Sequence, residues 1–152
     1  MAKKKCVEKG KEAGTEAQGL SVVVANQDDT IEIPGIDSCL AIISELDDGR
    51  VVAGHALNPW GVEEDQNENG LGTPQFIVTE MKKKIGEAKI LKTTCFGDGN
   101  YISPGDPKAS TSFEYVKKEL DKDCIFNEKG DRPITVMVHF ENESWVIKSF
   151  EQ

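Results

Sequence analysis

The sequence has no apolar run approaching the roughly 18 to 20 residues that a membrane-spanning helix needs. Residues 1–11 carry lysines with no apolar stretch behind them, so neither membrane insertion nor a secretory leader is expected. Basic charge is scarce as well: 18 Lys and Arg against 27 Asp and Glu leave a net charge of −9. A surface with that balance lacks the phosphate-neutralising attraction behind most nucleic-acid affinity, and DNA and RNA are not expected as partners. Lysines cluster only at Lys3, Lys4, Lys5 and at Lys82, Lys83, Lys84, which a solvated tail and a solvated helix face account for.

Metal-binding spacing is missing too. Cys6, Cys39, Cys95 and Cys124 are scattered along the chain, and there are only two histidines, whereas a zinc site draws three or four ligands together. No metal and no cofactor is expected. A chain of this size without a disulfide pattern fits a reducing, cytoplasmic setting. Cys95 and Cys124 sit in or beside apolar segments and read as simply buried residues, and Cys6 reads as an exposed tail thiol. The run Gly97-Asp98-Gly99-Asn100 has neither the lysine nor the helix start of a phosphate loop, so it reads as a turn.

What the chain does hold is enough apolar material for one core: 152 residues, 38% of them hydrophobic. Residues 1–18 read as a mobile tail and residues 19–152 as a single domain. β-branched runs predict strands at 20–25 and 30–33, the second broken by Pro34-Gly35. Residues 40–43 run apolar until the tight-turn signal Asp47-Asp48-Gly49, and residues 50–57 return as the next strand. Residues 58–72 have no periodicity and read as a long loop carrying Trp60. Thr73-Pro74 opens a helix that keeps its apolar spacing up to Gly86. A strand over 88–96 and an irregular loop to Ser110 follow. Ser110-Thr111-Ser112 starts a second helix, which ends around Lys122. Short strands at 125–126, 134–140 and 144–148 close the chain, the last two joined by a turn at Glu141-Asn142-Glu143. His139 falls on the face opposite Val138 and Phe140, in water. Adjacent hairpins on this scale exclude a doubly wound parallel sheet. The expected class is α+β, a layered mixed or antiparallel sheet (sandwich) with two main helices.

The strongest chemical candidates are Cys39 and His55. A cysteine nucleophile needs a base within hydrogen-bond reach. Cys39 follows the bend Pro34-Gly35-Ile36-Asp37-Ser38 and opens a strand. With the hairpin turn centred near Asp48, position 41 faces position 55, which brings His55 close to Cys39.

Two short motifs, Gly35-Ile36-Asp37-Ser38-Cys39-Leu40-Ala41-Ile42 and Gly54-His55-Ala56-Leu57-Asn58-Pro59, resemble those of the bacterial chemoreceptor glutamine deamidases of the CheD type. The order of the remaining elements is similar over most of residues 20–148. The resemblance implies a Cys/His amidohydrolase fold, shared more distantly with the deamidating domain of cytotoxic necrotizing factor toxins. It implies Cys39 as the nucleophile that forms a thioester with a glutamine side chain and His55 as general base. Asp37 stands where that family has the second glycine of its cysteine motif, and Ile33 where it has an assisting threonine. Thr30 and Ser38 are the residues offered in the threonine's place. Asp37, Asn58 and Trp60 are the candidates for contacting a substrate or partner protein. Two alternatives stand beside deamidation: a catalytically silent binding module presenting the Trp60 loop, and a cysteine hydrolase acting on another amide or acyl substrate.

Overall fold

The computed structural model describes residues 4–8, 21–37, 39–56, 73–98 and 107–152, with backbone only for 107–112. The fold is α+β, as the sequence predicts. Nine strands and two helices are formed among these residues: β1 Lys4–Cys6, β2 Val22–Ala25, β3 Thr30–Ile36, β4 Leu40–Leu46, β5 Val51–Ala56, α1 Pro74–Ile85, β6 Ile90–Gly97, α2 Pro107–Glu119, β7 Ile125–Glu128, β8 Ile134–Glu141 and β9 Ser144–Glu151. The strands form a four-stranded sheet of order β1-β3-β8-β9 and a five-stranded sheet of order β2-β5-β4-β6-β7.

The five-stranded sheet is covered on both faces, which is why β4 and β5 read as continuous apolar runs rather than alternating ones. Cys39, Ala41 and Ile43 point toward the four-stranded sheet and pack with Ile31, Ile33 and Val136. Leu40, Ile42 and Leu46 point the other way and pack under α1 with Ile77 and Met81. The result is three layers: sheet, sheet, helices. α1 approaches β5 so closely that a Cβ on Gly54 would lie 2.5 Å from Cγ2 of Ile77 and 3.0 Å from Sδ of Met81, a space that only glycine leaves open.

The helix signals place α1 well. The Thr73 hydroxyl accepts the Phe76 N–H at 3.2 Å, Pro74 occupies the first turn, and the Gly86 N–H donates to the Lys82 carbonyl. At the same end, Arg50 donates from its guanidinium to the Lys84 and Ile85 carbonyls at 2.9 and 3.1 Å, satisfying acceptors a helix cannot satisfy itself. Lys82, Lys83 and Lys84 are exposed there.

Three expectations are corrected. Pro34-Gly35 does not end its strand: β3 continues to Ile36 through a bulge, with Ile33 opposite Val136 but Ile36 opposite Ile134, and Gly35 at φ +67°. β1 pairs with Thr30–Glu32 only, so Pro34 lies past that pairing, where a missing N–H is tolerated. Part of the presumed tail is ordered, since Lys4–Cys6 adds in parallel to β3 and Val7 is fully buried; Cys6 is accordingly half-buried rather than an exposed tail thiol. α2 begins at Pro107, ahead of the Ser110 signal, with proline at its first position. The loop at 58–72 lies outside the described residues.

Candidate functional site

The turn Asp47-Asp48-Gly49 folds β5 back on β4 in the register the sequence predicts, with Ala41 opposite His55 and Leu40 opposite Ala56. The His55 N–H donates to the Ser21 carbonyl at 2.9 Å, so its main-chain bonds run toward β2. The Ala41–His55 pair is therefore of the non-hydrogen-bonded kind, in which facing side chains come closest. Cys39 is two residues from Ala41 on the same face and belongs to the same buried cluster as Ala41, Ala53 and Val7. Cys39 thus precedes by two residues the position that faces His55, a diagonal relation that in a regular ladder corresponds to roughly 7–8 Å between backbones.

Both groups are shielded from water: Cys39 is 4% exposed and His55 1%. The His55 ring is held from the other sheet, its Nδ1 lying 3.1 Å from the carbonyl oxygen of Val7. A carbonyl only accepts, so Nδ1 carries the proton, and in the neutral ring Nε2 carries the lone pair. Val7 is itself fixed by donating its N–H to the Glu32 carbonyl at 2.9 Å. A histidine oriented in this way, with its basic nitrogen determined by a backbone partner, has the form a general base requires.

Asp37 lies on the turn two residues before Cys39, exposed, with its carboxylate 3.4 Å from the Lys129 ammonium. The Lys129 side chain is 3% exposed, and the residue's backbone N–H donates to the Gly97 carbonyl at the end of β6. Thr30 is not brought to Cys39. It opens β3, opposite Lys4 and His139, and the strand from Thr30 to Ile36 separates it from the cysteine turn by roughly 20 Å. Ser38, Asn58 and Trp60 lie outside the described residues.

Two groups at the site give no usable signal in the sequence. The Val7 carbonyl belongs to one apolar residue in a polar segment. Lys129 has nothing to mark it, because its approach to Asp37 depends on where β7 ends. His139 lies where alternation predicts, part-exposed, with Nε2 3.0 Å from the Glu141 carboxylate. Among the described residues, no three His, Cys, Asp or Glu side chains are placed to hold a metal ion, and no helix is long and apolar enough to cross a membrane. A separate cleft of about 420 Å³ opens at the other side of the sandwich, lined by Glu45, Thr94, Phe96 and Trp145. Burial pushes the Glu45 carboxyl above its ordinary pKa, against the opposing pull of Lys92.

No protein-family profile matches the sequence, and no curated protein matches it. Among solved structures, the chain is similar to the C-terminal domain of CNFy from Yersinia pseudotuberculosis, at 7% identity and a TM-score of 0.45. That likeness covers 84% of this chain and 51% of the other, so the chain spans about half the length of the structure it matches.

Proposed function

We propose that the chain is a thiol amidohydrolase, and specifically a protein-glutamine deamidase in which Cys39 is the nucleophile and His55 the general base. The observation that carries the reading is the β4–β5 register. It sets the imidazole on the Cys39 face, and the Val7 carbonyl holds Nδ1–H. The resemblance of residues 35–42 and 54–59 to the CheD-type motifs supports the choice of reaction.

In this reading His55 Nε2 takes the thiol proton as Cys39 Sγ attacks the side-chain carboxamide carbon of a substrate glutamine. The tetrahedral intermediate collapses as the imidazolium returns that proton to the leaving nitrogen, and ammonia departs from the thioester. A water molecule, deprotonated by the same nitrogen, then attacks the thioester carbon; glutamate leaves and the thiol is restored. Main-chain amides at the turn that opens β4 serve the developing oxyanion. Asp37, Asn58 and Trp60 border the cysteine in sequence or in motif and contact the substrate protein, and Ser38, beside the nucleophile, takes the place of the family's assisting threonine. Thr30 has no part in the reaction. A cytoplasmic setting would keep Cys39 reduced.

The test is incubation of the full chain with a panel of glutamine-bearing peptides, reading ammonia release and amide-to-acid mass gain. Conversion by the native chain, and a loss of about 10³-fold or more in Cys39→Ala, are the expected outcomes. Conversion that survives Cys39→Ala, or peptide-bond cleavage in place of side-chain conversion, contradicts deamidation at this thiol.

A further inference from the structure

Cys95 and Cys124 do not sit in separate apolar surroundings as isolated buried residues. Their sulfurs are 3.3 Å apart. Cys95 is fully buried on β6 and faces the helical layer, whereas Cys124, just before β7, is half-buried.

The two backbones are fixed to a common frame. β6 and β7 run parallel, with Cys95 opposite Phe126. The Asp121 carboxylate accepts the Thr93 N–H at 3.0 Å and the Asp123 N–H at 2.9 Å, and the Cys124 N–H donates to the Asp121 carbonyl at 3.0 Å. The turn leaving α2 is therefore pinned to β6 two residues from Cys95. Closing the sulfurs from 3.3 Å to the roughly 2.05 Å of a disulfide requires movement of side chains on backbones already held together.

We propose that Cys95 and Cys124 form a redox-modification site that closes to a reversible disulfide by exchange with a small disulfide of the glutathione class. The more exposed Cys124 attacks first, as thiolate, on one sulfur of the small disulfide. A protein–glutathione mixed disulfide forms and one glutathione leaves. Cys95 then gives up its proton and attacks the Cys124 sulfur, and the second glutathione leaves. Two protein thiols and one disulfide become one protein disulfide and two small thiols, which take both electrons and both protons. Burial, with the neighbouring Cys124 and Asp121, pushes the Cys95 thiol well above its ordinary pKa. The second step therefore accelerates as pH rises.

The experiment equilibrates the full chain, and a Cys6→Ser/Cys39→Ser variant, with graded mixtures of reduced and oxidised glutathione. Samples are quenched with acid, alkylated with N-ethylmaleimide and mapped by mass spectrometry. The expected result at the oxidising end is loss of both alkylatable thiols at Cys95 and Cys124 and a linked peptide joining them, both reversed by dithiothreitol. In Cys95→Ser, the glutathione adduct on Cys124 accumulates instead. Two free thiols at the oxidising end, or an adduct on Cys124 that persists with Cys95 intact, would overturn the proposal. If the double variant does not fold, the linked-peptide map of the native chain decides the matter alone.

Discussion

Two cysteines occupy opposite faces of one sheet and meet different neighbours. Cys39 enters the sandwich face and shares it with an imidazole oriented by the opposing sheet. Cys95 enters the helical face and meets a second thiol. Both are buried, at 4% and 0% exposure, so burial does not distinguish them. The difference lies in what shares the face: on one, His55 stands in register with Ala41, and on the other a second thiol lies 3.3 Å away; in the proposed reading the first arrangement serves nucleophilic attack and the second two-electron exchange.

The comparison sharpens when one face is damaged and the other is left alone. The largest effect is expected from Gly54→Val, which drives a side chain into Ile77 and Met81. Overpacking there should lower stability by about 3 kcal/mol, read as a fall in the denaturant midpoint. Because Gly54 adjoins His55 but faces α1, residual folded protein should keep its Cys39 reactivity. A smaller effect falls on the other face. Deleting residues 1–8 removes the buried Val7 side chain, a loss of about 2 kcal/mol, together with the carbonyl that holds Nδ1 of His55. Cys39 alkylation should slow in that variant, while the Cys95–Cys124 pair still closes. A deletion that leaves both stability and Cys39 reactivity unchanged would show that β1 plays no part in orienting the base.

The two faces are unequally legible in the sequence. The sandwich-face pair rests on a local hairpin, and a tight turn at Asp47-Asp48-Gly49 fixes register over the next few residues; hence the facing of positions 41 and 55 follows from the turn alone. The thiol pair depends on a parallel pairing of β6 with β7 across the whole of α2, and no local pattern encodes which residues such a crossover brings together. β1 is hidden for another reason. Lys4 and Lys5 read as solvated charge, yet the Lys4 ammonium pairs with Glu32, and the Lys5 ammonium reaches the Val24 carbonyl and the Asp29 carboxylate. Long aliphatic stems let such residues lie on a sheet edge while their charges find partners. Thr30, offered in place of the family's assisting threonine, opens β3 while Cys39 follows the strand's end, and an extended strand carries its two ends apart.

The most direct test of the central claim is the pH profile of iodoacetamide alkylation at Cys39, with Cys6 as internal reference. Partial burial, with the carboxylates of Glu8 and Glu32 nearby, pushes the Cys6 thiol above its ordinary pKa, so Cys6 should react only on the alkaline side. A thiol whose proton is taken by a neighbouring imidazole reacts from well below the ordinary free-thiol value of about 8.5. The account predicts that Cys39 reacts from well below the ordinary free-thiol value of about 8.5, and so before Cys6, and that His55→Ala moves the Cys39 profile to the alkaline side. Coincident profiles for Cys39 and Cys6, unchanged by His55→Ala, would contradict it.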